Sequence, residues 1–347
     1  MHESVFASGF RTFLISFFKI FGIILGVLLA ISLFSYFSGG SEKEVQQEYS
    51  LEIAPNSKGV RKALSKTAPV ILVLPISGVI GGEVLNAKNM EQQLIESREG
   101  SLAGDRVKAI FLEMNTPGGT VFDADVIYRA LKAYKEQYKV PVYAFVDGLC
   151  ASGGMYVAAA ADKVYASDVS LIGSIGVISS AYLNLYQLLE KVGVQTLTLY
   201  AGKGKDELNP LRPWKPGEEE QMQALIDYYY KHFVEVVTSN RPQVDKEKLI
   251  KDYGAEIFAA PEAFKIGLID GNGYSRSMAL NELLKQIGIE DDFYQVMRFE
   301  GKSWFSQIFN SHNPLLGGKI QYELKLPAEM DYHFANQPLY LYRPDSK

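Results

Sequence analysis

The chain has 347 residues, of which 47% are hydrophobic and 22% are charged, and such proportions are typical of a folded protein with a large core. Its net charge of −5 argues against nucleic acid as a partner, because nucleic-acid-binding proteins carry clustered basic residues. The single cysteine excludes an internal disulfide. The four histidines are scattered without metal-ligand spacing, and their positions argue against a histidine-based catalytic triad. We therefore expect no cofactor and no metal.

An apolar run near the N-terminus predicts a membrane anchor. From Ile20 to Phe37, 18 consecutive residues carry no charge, which is long enough for a helix to cross a bilayer. A cleaved signal peptide is the alternative, although Ser-Tyr-Phe-Ser at 35–38 is a poor cleavage site. We predict a cytoplasmic N-terminus over 1–12, an uncleaved transmembrane anchor over 13–37 and a polar tether over 38–67.

The basic residues around this run indicate its orientation. Arg11 and Lys19 precede its uncharged part, whereas Lys43 is the one basic residue in the acidic stretch just after it. The positive-inside rule therefore places the N-terminus in the cytoplasm and the rest of the chain on the periplasmic side of a bacterial inner membrane, as a single-pass protein.

The remaining sequence alternates apolar strands with amphipathic helices. Strands are predicted at 69–76, 79–82, 107–114, 140–146, 163–166, 171–177 and 195–200, and helices at 86–99, 121–138, after Ser152, at 183–192 and at 216–239. This alternation predicts an α/β domain with a largely parallel sheet. Ligands of such sheets bind at the carboxyl ends of the strands.

Ser152 is the candidate nucleophile. It follows an apolar strand and stands before Gly153 and Gly154, at the start of an alanine-rich helix. The glycines allow a substrate to approach closely, and the first N–H groups of a helix favour negative charge beside the serine. Taken alone, a serine in this position is more often a helix N-cap. We interpret Cys150, two residues earlier, as a buried packing residue.

A hydroxyl nucleophile also needs an oxyanion hole and a base. Gly118 and Gly119 follow the preceding strand, and their backbone N–H groups could face Ser152, although Pro-Gly-Gly by itself is an ordinary turn. With no histidine in this region, the candidate bases are Lys203 and Lys205 in a glycine-rich loop. A lysine acts as a base only when desolvation lowers its pKa from ~10.4 towards neutrality, and most loop lysines are simply solvated.

Five blocks of sequence resemble the signal peptide peptidase A family in order and approximate spacing. They are Asn-Thr-Pro-Gly-Gly at 115–119, Ala-Ser-Gly-Gly-Met-Tyr at 151–156, Ala-Ala-Asp-Lys at 160–163, Gly-Ser-Ile-Gly-Val at 173–177 and Gly-Lys-Gly-Lys-Asp at 202–206. That family consists of membrane-anchored Ser/Lys-dyad peptidases with a fold related to ClpP and crotonase. The resemblance covers about Pro69 to Gly273, and the single catalytic repeat is similar to the short bacterial form.

The resemblance implies a role for each site residue. Ser152 would be the nucleophile and Lys205 the general base. Ser174 would hydrogen-bond the lysine amine and orient it, and the backbone of Gly119, with Gly118, would line the oxyanion hole. Lys203 remains an alternative base, because the segment between Ser174 and Lys205 is slightly longer than in the family. No metal is implied.

The resemblance also implies architecture and assembly. The fold would be ClpP/crotonase-like, with repeated ββα units and largely parallel sheets, preceded by one transmembrane helix. A Ser/Lys peptidase domain would span 68–275, and a C-terminal extension over 276–347 would pack on it or lie in an oligomer interface. Members form rings or domes in which the serine and lysine of one site can come from neighbouring subunits, so we expect a homo-oligomer.

The implied function is that of a membrane-anchored serine endopeptidase that degrades cleaved signal peptides and other small hydrophobic peptides. Two alternatives come from other classes: a crotonase-like acyl-CoA enzyme and a non-catalytic membrane scaffold. The first has no use for an anchor, for Ser152 or for the lysine loop. The second has no use for the paired glycines.

Overall fold

The computed structural model describes residues 14–19, 21–22, 25–27, 49–301 and 339–341. Residues 1–48 and 49–347 form two separate compact units. The described part of the first unit is helical. Within the described ranges, no helix has both the length and the apolar character needed to span a membrane. Much of the anchor predicted at 13–37 lies outside those ranges, as do residues 38–48 of the tether.

The second unit alternates strands with helices, as predicted. Its strands are β1 (Tyr49–Ala54), β2 (Val70–Ser77), β3 (Val107–Thr116), β4 (Gly118–Thr120), β5 (Val142–Ala151), β6 (Lys163–Ala166), β7 (Leu171–Gly173), β8 (Ile257–Ala259), β9 (Gln295–Gly301) and β10 (Leu339–Leu341). Its helices are α1 (Ala87–Glu96), α2 (Val121–Tyr138), α3 (Gly153–Ala158), α4 (Tyr186–Lys191), α5 (Glu220–Asn240), α6 (Lys246–Lys248), α7 (Ala260–Ile266) and α8 (Arg276–Gln286).

One mixed sheet organises this unit. Its strand order is β1-β9-β2-β3-β5-β7-β8, and β6 also pairs with β5. The pairings from β9 through β7 are parallel, whereas β1 and β8 are antiparallel strands at the two edges. The predicted α/β fold with a largely parallel sheet is therefore confirmed. A separate antiparallel pair joins β4 to β10.

Helices cover both faces of this sheet, and the sequence of β2 shows why. Its alternate side chains point to opposite faces. Leu72 and Leu74 belong to a core that includes buried residues of α2, α3 and α5. Ile71 and Val73 belong to a second core that includes Phe111 and buried residues of α8. A strand buried on both faces reads as a continuous apolar run, as β2 does.

The strand predicted at 195–200 is wrong. These residues form no strand, and both Leu197 and Leu199 are more than 80% exposed. Their alternating Thr and Leu residues have the period of a half-buried strand, but no partner strand among the described residues pairs with them. The strand predicted at 79–82 is reduced to a single bridge between Ile80 and Gly119.

Two predicted boundaries also need correction. The tether was expected to continue to residue 67, but Tyr49–Ala54 is an edge strand paired with β9. The peptidase domain was expected to end at 275, but Gln295–Gly301 lies inside the sheet, between β1 and β2. Both segments join the sheet through pairings that are remote in sequence, and a local pattern does not reveal such partners.

Candidate active site

Ser152 lies where β5 turns into α3. Its backbone has φ 50° and ψ −116°, a left-handed conformation that costs a non-glycine residue about 1–3 kcal/mol. The backbone N–H donates to the carbonyl of Gly173 at 2.9 Å, which fixes the turn. The side chain makes no capping hydrogen bond to α3. The N-cap interpretation therefore does not account for this serine.

The Ser152 hydroxyl is buried and weakly bound. The residue is 1% exposed, and its Oγ donates to the carbonyl of Gly176 at 3.3 Å. That distance is long for an O–H···O hydrogen bond, whose usual range is about 2.5–3.0 Å. The hydroxyl is therefore held in place without a strong partner.

Ser174 lies beside Ser152. The register of β5 and β7 pairs Ala151 with Gly173, so the two serines follow paired residues on adjacent strands. Ser174 also has a positive φ, 54°, and its backbone N–H donates to the carbonyl of Glu256 at 2.7 Å. The residue is 7% exposed, and its hydroxyl has no hydrogen-bond partner among the described residues. It can therefore donate to, or accept from, another group in the site.

The two glycines of the turn that follows β3 differ in the hydrogen bonds of their backbone N–H groups. Thr116 Oγ1 donates to the carbonyl of Gly78 at 2.6 Å and accepts the backbone N–H of Gly118 at 3.1 Å. The Gly118 N–H is therefore engaged within the turn. Of the two predicted oxyanion donors, Gly119 is the one whose N–H this contact leaves free.

Gly119 sits against Ile80 in a position that only glycine can fill. A Cβ on Gly119 would lie 1.8 Å from the Ile80 carbonyl oxygen. Ile80 exchanges backbone hydrogen bonds with Gly118 and Thr120, at 2.8 and 2.9 Å. Because successive residues of a strand point their peptide groups to opposite edges, those of Gly119 face the other edge of β4.

That other edge of β4 carries an extended segment of the chain itself. β10 pairs with it in antiparallel register, with Tyr340 opposite Gly119 and Leu341 opposite Gly118. An extended peptide backbone thus fits the edge on which the Gly119 peptide groups lie.

The two candidate lysines lie elsewhere. Lys203 and Lys205 are both exposed. Lys205 lines an open groove of about 1250 Å³, together with Asp206, Glu218 and Tyr228, whereas Lys203 does not. Neither Ser152 nor Ser174 lines this groove, and within residues 49–301 no hydrogen bond joins Lys205 to either serine. The structure brings Ser152 and Ser174 together, but it does not bring Lys205 to them.

The sequence analysis gave no role to the residues that hold α3 in place. Tyr156 Oη donates to Asp125 Oδ1 of α2 at 2.9 Å. At the other end, Arg241 Nη2 donates to the carbonyls of Ala158 and Ala161, at 3.2 and 3.1 Å. Tyr156 lies in one of the five blocks that resemble the family, so the sequence could have indicated it. Arg241 carried no local signal, because it contacts α3 from a position 80 or more residues away.

Cys150 is a packing residue, in agreement with its prediction. It is fully buried, with its Sγ 3.7 Å from Met155 Sδ, and burial raises the pKa of the thiol to about 12. A thiol with so high a pKa is not ionised near neutral pH and makes a poor nucleophile. Among the described residues, no group of three or more histidine, cysteine or acidic side chains is arranged to hold a metal ion.

Comparisons with known proteins establish the family. The sequence model of Peptidase family S49 matches residues 134–290, and that of Clp protease matches residues 79–172. A protein of Enterococcus faecium named "Putative signal peptide peptidase SppA" is 33% identical over 250 residues, which cover 72% of this chain and 69% of that protein. The chain belongs to peptidase family S49. It is a serine peptidase, as predicted.

Other proteins and solved structures are also similar to this chain. "Serine protease SPPA, chloroplastic" of Arabidopsis thaliana is 32% identical over 54% of this chain, which corresponds to 28% of the plant protein. Among solved structures, a point mutant of ClpP1 from Listeria monocytogenes aligns with a TM-score of 0.40 and 18% identity, over 60% of this chain and 94% of that one.

Proposed function

We propose that this S49 peptidase is a membrane-anchored endopeptidase with a Ser/Lys dyad, which degrades cleaved signal peptides and other small hydrophobic peptides. The observation that carries the proposal is Ser152: a buried serine in a strained turn, not used as a helix cap and adjacent to a second serine with an unused hydroxyl. Backbone strain at a non-glycine residue is concentrated at functional sites.

The substrate backbone would bind along β4. Residues 339–341 occupy its outer edge in antiparallel register, and a peptide substrate would take their place on that edge by β-augmentation. The Gly119 N–H would then donate to the carbonyl oxygen of the scissile bond. Such a donor lowers the barrier by stabilising charge that develops only in the transition state.

Ser152 and Lys205 would carry out the chemistry. The neutral amine of Lys205 accepts the Ser152 proton while Oγ attacks the peptide carbonyl, and Ser174 orients the amine through its hydroxyl. The resulting lysine ammonium donates a proton to the leaving amine as the C–N bond breaks, which leaves an acyl ester on Ser152. Water, deprotonated by Lys205, then hydrolyses the ester and regenerates the serine.

A second copy of the chain would supply Lys205. Within one chain the described residues leave Lys205 in a groove that Ser152 does not line. The segment that leads to this lysine exposes large apolar side chains, including Leu183, Leu188, Val192, Leu197 and Leu199. Exposed apolar patches of this kind mark interaction surfaces. We propose a ring or dome of identical subunits in which neighbours complete each dyad.

The membrane anchor over 13–37 is also part of the proposal. Its support is the uncharged run of Ile20–Phe37 and the two basic residues that precede it. The peptidase unit would then lie on the periplasmic side of a bacterial inner membrane. Tethering beside the bilayer would raise the local concentration of apolar peptides that remain there.

Replacing the nucleophile tests the reaction. Ser152→Ala should reduce cleavage of an apolar peptide ester by at least about 1000-fold, because the covalent route is lost. The unfolding midpoint should change little. Ser65→Ala is the matched control, since Ser65 is exposed and its hydroxyl contacts only Thr67. Activity of Ser152→Ala at the level of this control would rule out the proposed nucleophile.

A further inference from the structure

The segment that carries Lys205 has little support from the core. From Ala181 to Gly217 almost every residue is exposed or only partly buried, and Leu197 and Leu199 are more than 80% exposed. A general base must nevertheless be held within hydrogen-bond reach of its proton, and a misplacement of about 1 Å can cost about 100-fold in rate. Some other contact therefore has to fix the backbone at Lys205.

Arg212 makes that contact with the residue next to Lys205. Its Nε donates to Asp206 Oδ2 at 2.5 Å, and its Nη2 donates to the backbone carbonyl of Asp206. Its Nη1 donates to Glu218 Oε1 at 2.7 Å. The side chains of Asp206 and Glu218 are 8% and 7% exposed, which is unusual in a segment so open to solvent. We call Asp206, Arg212 and Glu218 the Arg212 clamp.

Further hydrogen bonds close the turn around the clamp. Asp206 Oδ1 accepts Asn209 Nδ2 at 2.5 Å, and Glu218 Oε2 accepts the backbone N–H of Leu208 at 3.0 Å. Hydrogen bonds from Arg212 hold the pKa of both carboxyl groups below their usual range, so both remain ionised at neutral pH. A guanidinium that bridges two carboxylates and a carbonyl fixes direction as well as distance.

The clamp connects the Lys205 turn to the core through α5. Glu218 lies two residues before Glu220, where α5 begins. Farther along this helix, Phe233 and Val237 are fully buried in the core that α5 shares with α3. Movement of the Lys205 turn is thus opposed by a helix that is itself packed into the domain.

We propose that Arg212, by bridging Asp206 and Glu218, is the positioning residue for Lys205. The proposal rests on the proposed function, in which Lys205 is the general base. Arg212 touches neither substrate nor nucleophile in this scheme. Its effect is to hold the backbone of residue 206 and therefore the direction in which the preceding lysine projects.

The test combines the steady-state kinetics of Arg212→Gln on an apolar peptide ester with the unfolding midpoint of this variant. The value of kcat should fall about 10- to 100-fold, while KM changes less than about twofold, because the substrate pairs with β4 rather than with this segment. The unfolding midpoint should change little, because Arg212 lies in a segment that is mostly exposed.

Three further variants make the result specific. Arg212→Lys keeps the charge but not the planar fork, and should give an intermediate kcat. Glu218→Gln nearly keeps the shape of the side chain while removing one arm of the clamp, and should also lower kcat while KM changes little. Arg298→Gln is the control, because Arg298 is an ion-paired arginine of similar exposure on β9, and its loss should leave kcat unchanged.

Two outcomes would overturn the proposal. One is wild-type kcat in Arg212→Gln and Glu218→Gln while Lys205→Ala is inactive, which would show that the lysine acts without the Arg212 clamp. The other is a fall in kcat that accompanies a lowered unfolding midpoint and is not relieved in Arg212→Lys, which indicates a stabilising role alone. Failure of the proposed function is a separate result, because Lys205→Ala would then retain activity.

Discussion

Ser152 and Ser174 are two of five non-glycine residues with positive φ among the described residues, and they follow paired residues on neighbouring strands. The backbone N–H of Ser152 donates to the carbonyl of Gly173, and that of Ser174 donates to the carbonyl of Glu256. The surrounding segments therefore impose the positive φ of both serines. A positive φ costs a serine free energy, so the surrounding structure has to hold it. The backbone that carries the two hydroxyls is therefore fixed before any substrate binds.

The sequence could predict these serines because both lie in blocks that resemble the family. It could not distinguish Gly118 from Gly119, because that difference depends on the Thr116 hydroxyl and on Ile80, which approaches from another part of the chain. It also left two lysines open. Only Lys205 lines the groove and precedes a residue of the Arg212 clamp.

Separate replacement of the two lysines decides which one is the base. Lys205→Ala should lower kcat by at least about 100-fold, the scale of general-base catalysis, because no other group takes the serine proton. Lys203→Ala should stay within about twofold of wild type, and it is the matched control in the same loop. Initial rates on one peptide ester measure both. The opposite pattern would assign the base to Lys203.

At the scale of elements, α3 depends on a buried ion pair. Arg241 Nη1 donates to Asp270 Oδ2 at 2.9 Å, and both side chains are at most 10% exposed. Asp270 also accepts the backbone N–H of Val164 at 2.8 Å, so one carboxylate joins β6 to the arginine that binds the end of α3. The C-terminal end of α3, the helix that follows Ser152, is therefore held by this ion pair.

Arg241→Ala should lower the free energy of unfolding by about 3 kcal/mol, because removing one partner leaves a buried carboxylate with less compensation. Lys163, 2.9 Å from the other Asp270 oxygen, keeps the loss at the lower end of the range for buried pairs. Urea denaturation measures the change. Lys265→Ala, which breaks the exposed pair with Glu262, should have little effect. Equal stability of the two variants would contradict this account.

Elements with strong local signals were predicted well. The bounds predicted for α2 match Val121–Tyr138, because the Thr120 side chain caps its start and Lys139 adopts φ 54° after its end. The strand predicted at 69–76 is observed one residue later as β2, since a continuous apolar run marks it. β1, β9 and β10 were not assigned to the sheets because each depends on a partner far away in sequence.

At the scale of the whole molecule, the fold forms within one chain, whereas the proposed site needs residues from two copies. The sheet and its two cores lie within one chain, and the sequence was sufficient to predict them as α/β. Among the described residues of one chain, Lys205 lies in a groove that Ser152 does not line, so the proposed dyad needs a second copy. Local periodicity carries no information on contacts with a second copy, so this part of the proposal came only from the family resemblance.

Mixing two inactive variants tests whether subunits share the site. Ser152→Ala and Lys205→Ala should each be inactive, but together they should recover about a quarter of wild-type activity if subunits mix randomly in a ring of head-to-tail contacts. Active sites then form where an intact Ser152 meets an intact Lys205. The mixture should be incubated long enough for subunits to exchange. No recovery, with exchange verified, would place the dyad within one chain.

The central claim is that Ser152 is the nucleophile, and covalent labelling tests it most directly. The protein is treated with a fluorophosphonate that reacts with activated serines, and the modified peptide is identified by mass spectrometry. We predict one adduct, on Ser152, that forms in step with loss of activity and more slowly in Lys205→Ala. Complete inactivation with the adduct on another residue, or full activity with Ser152 labelled, would contradict the account.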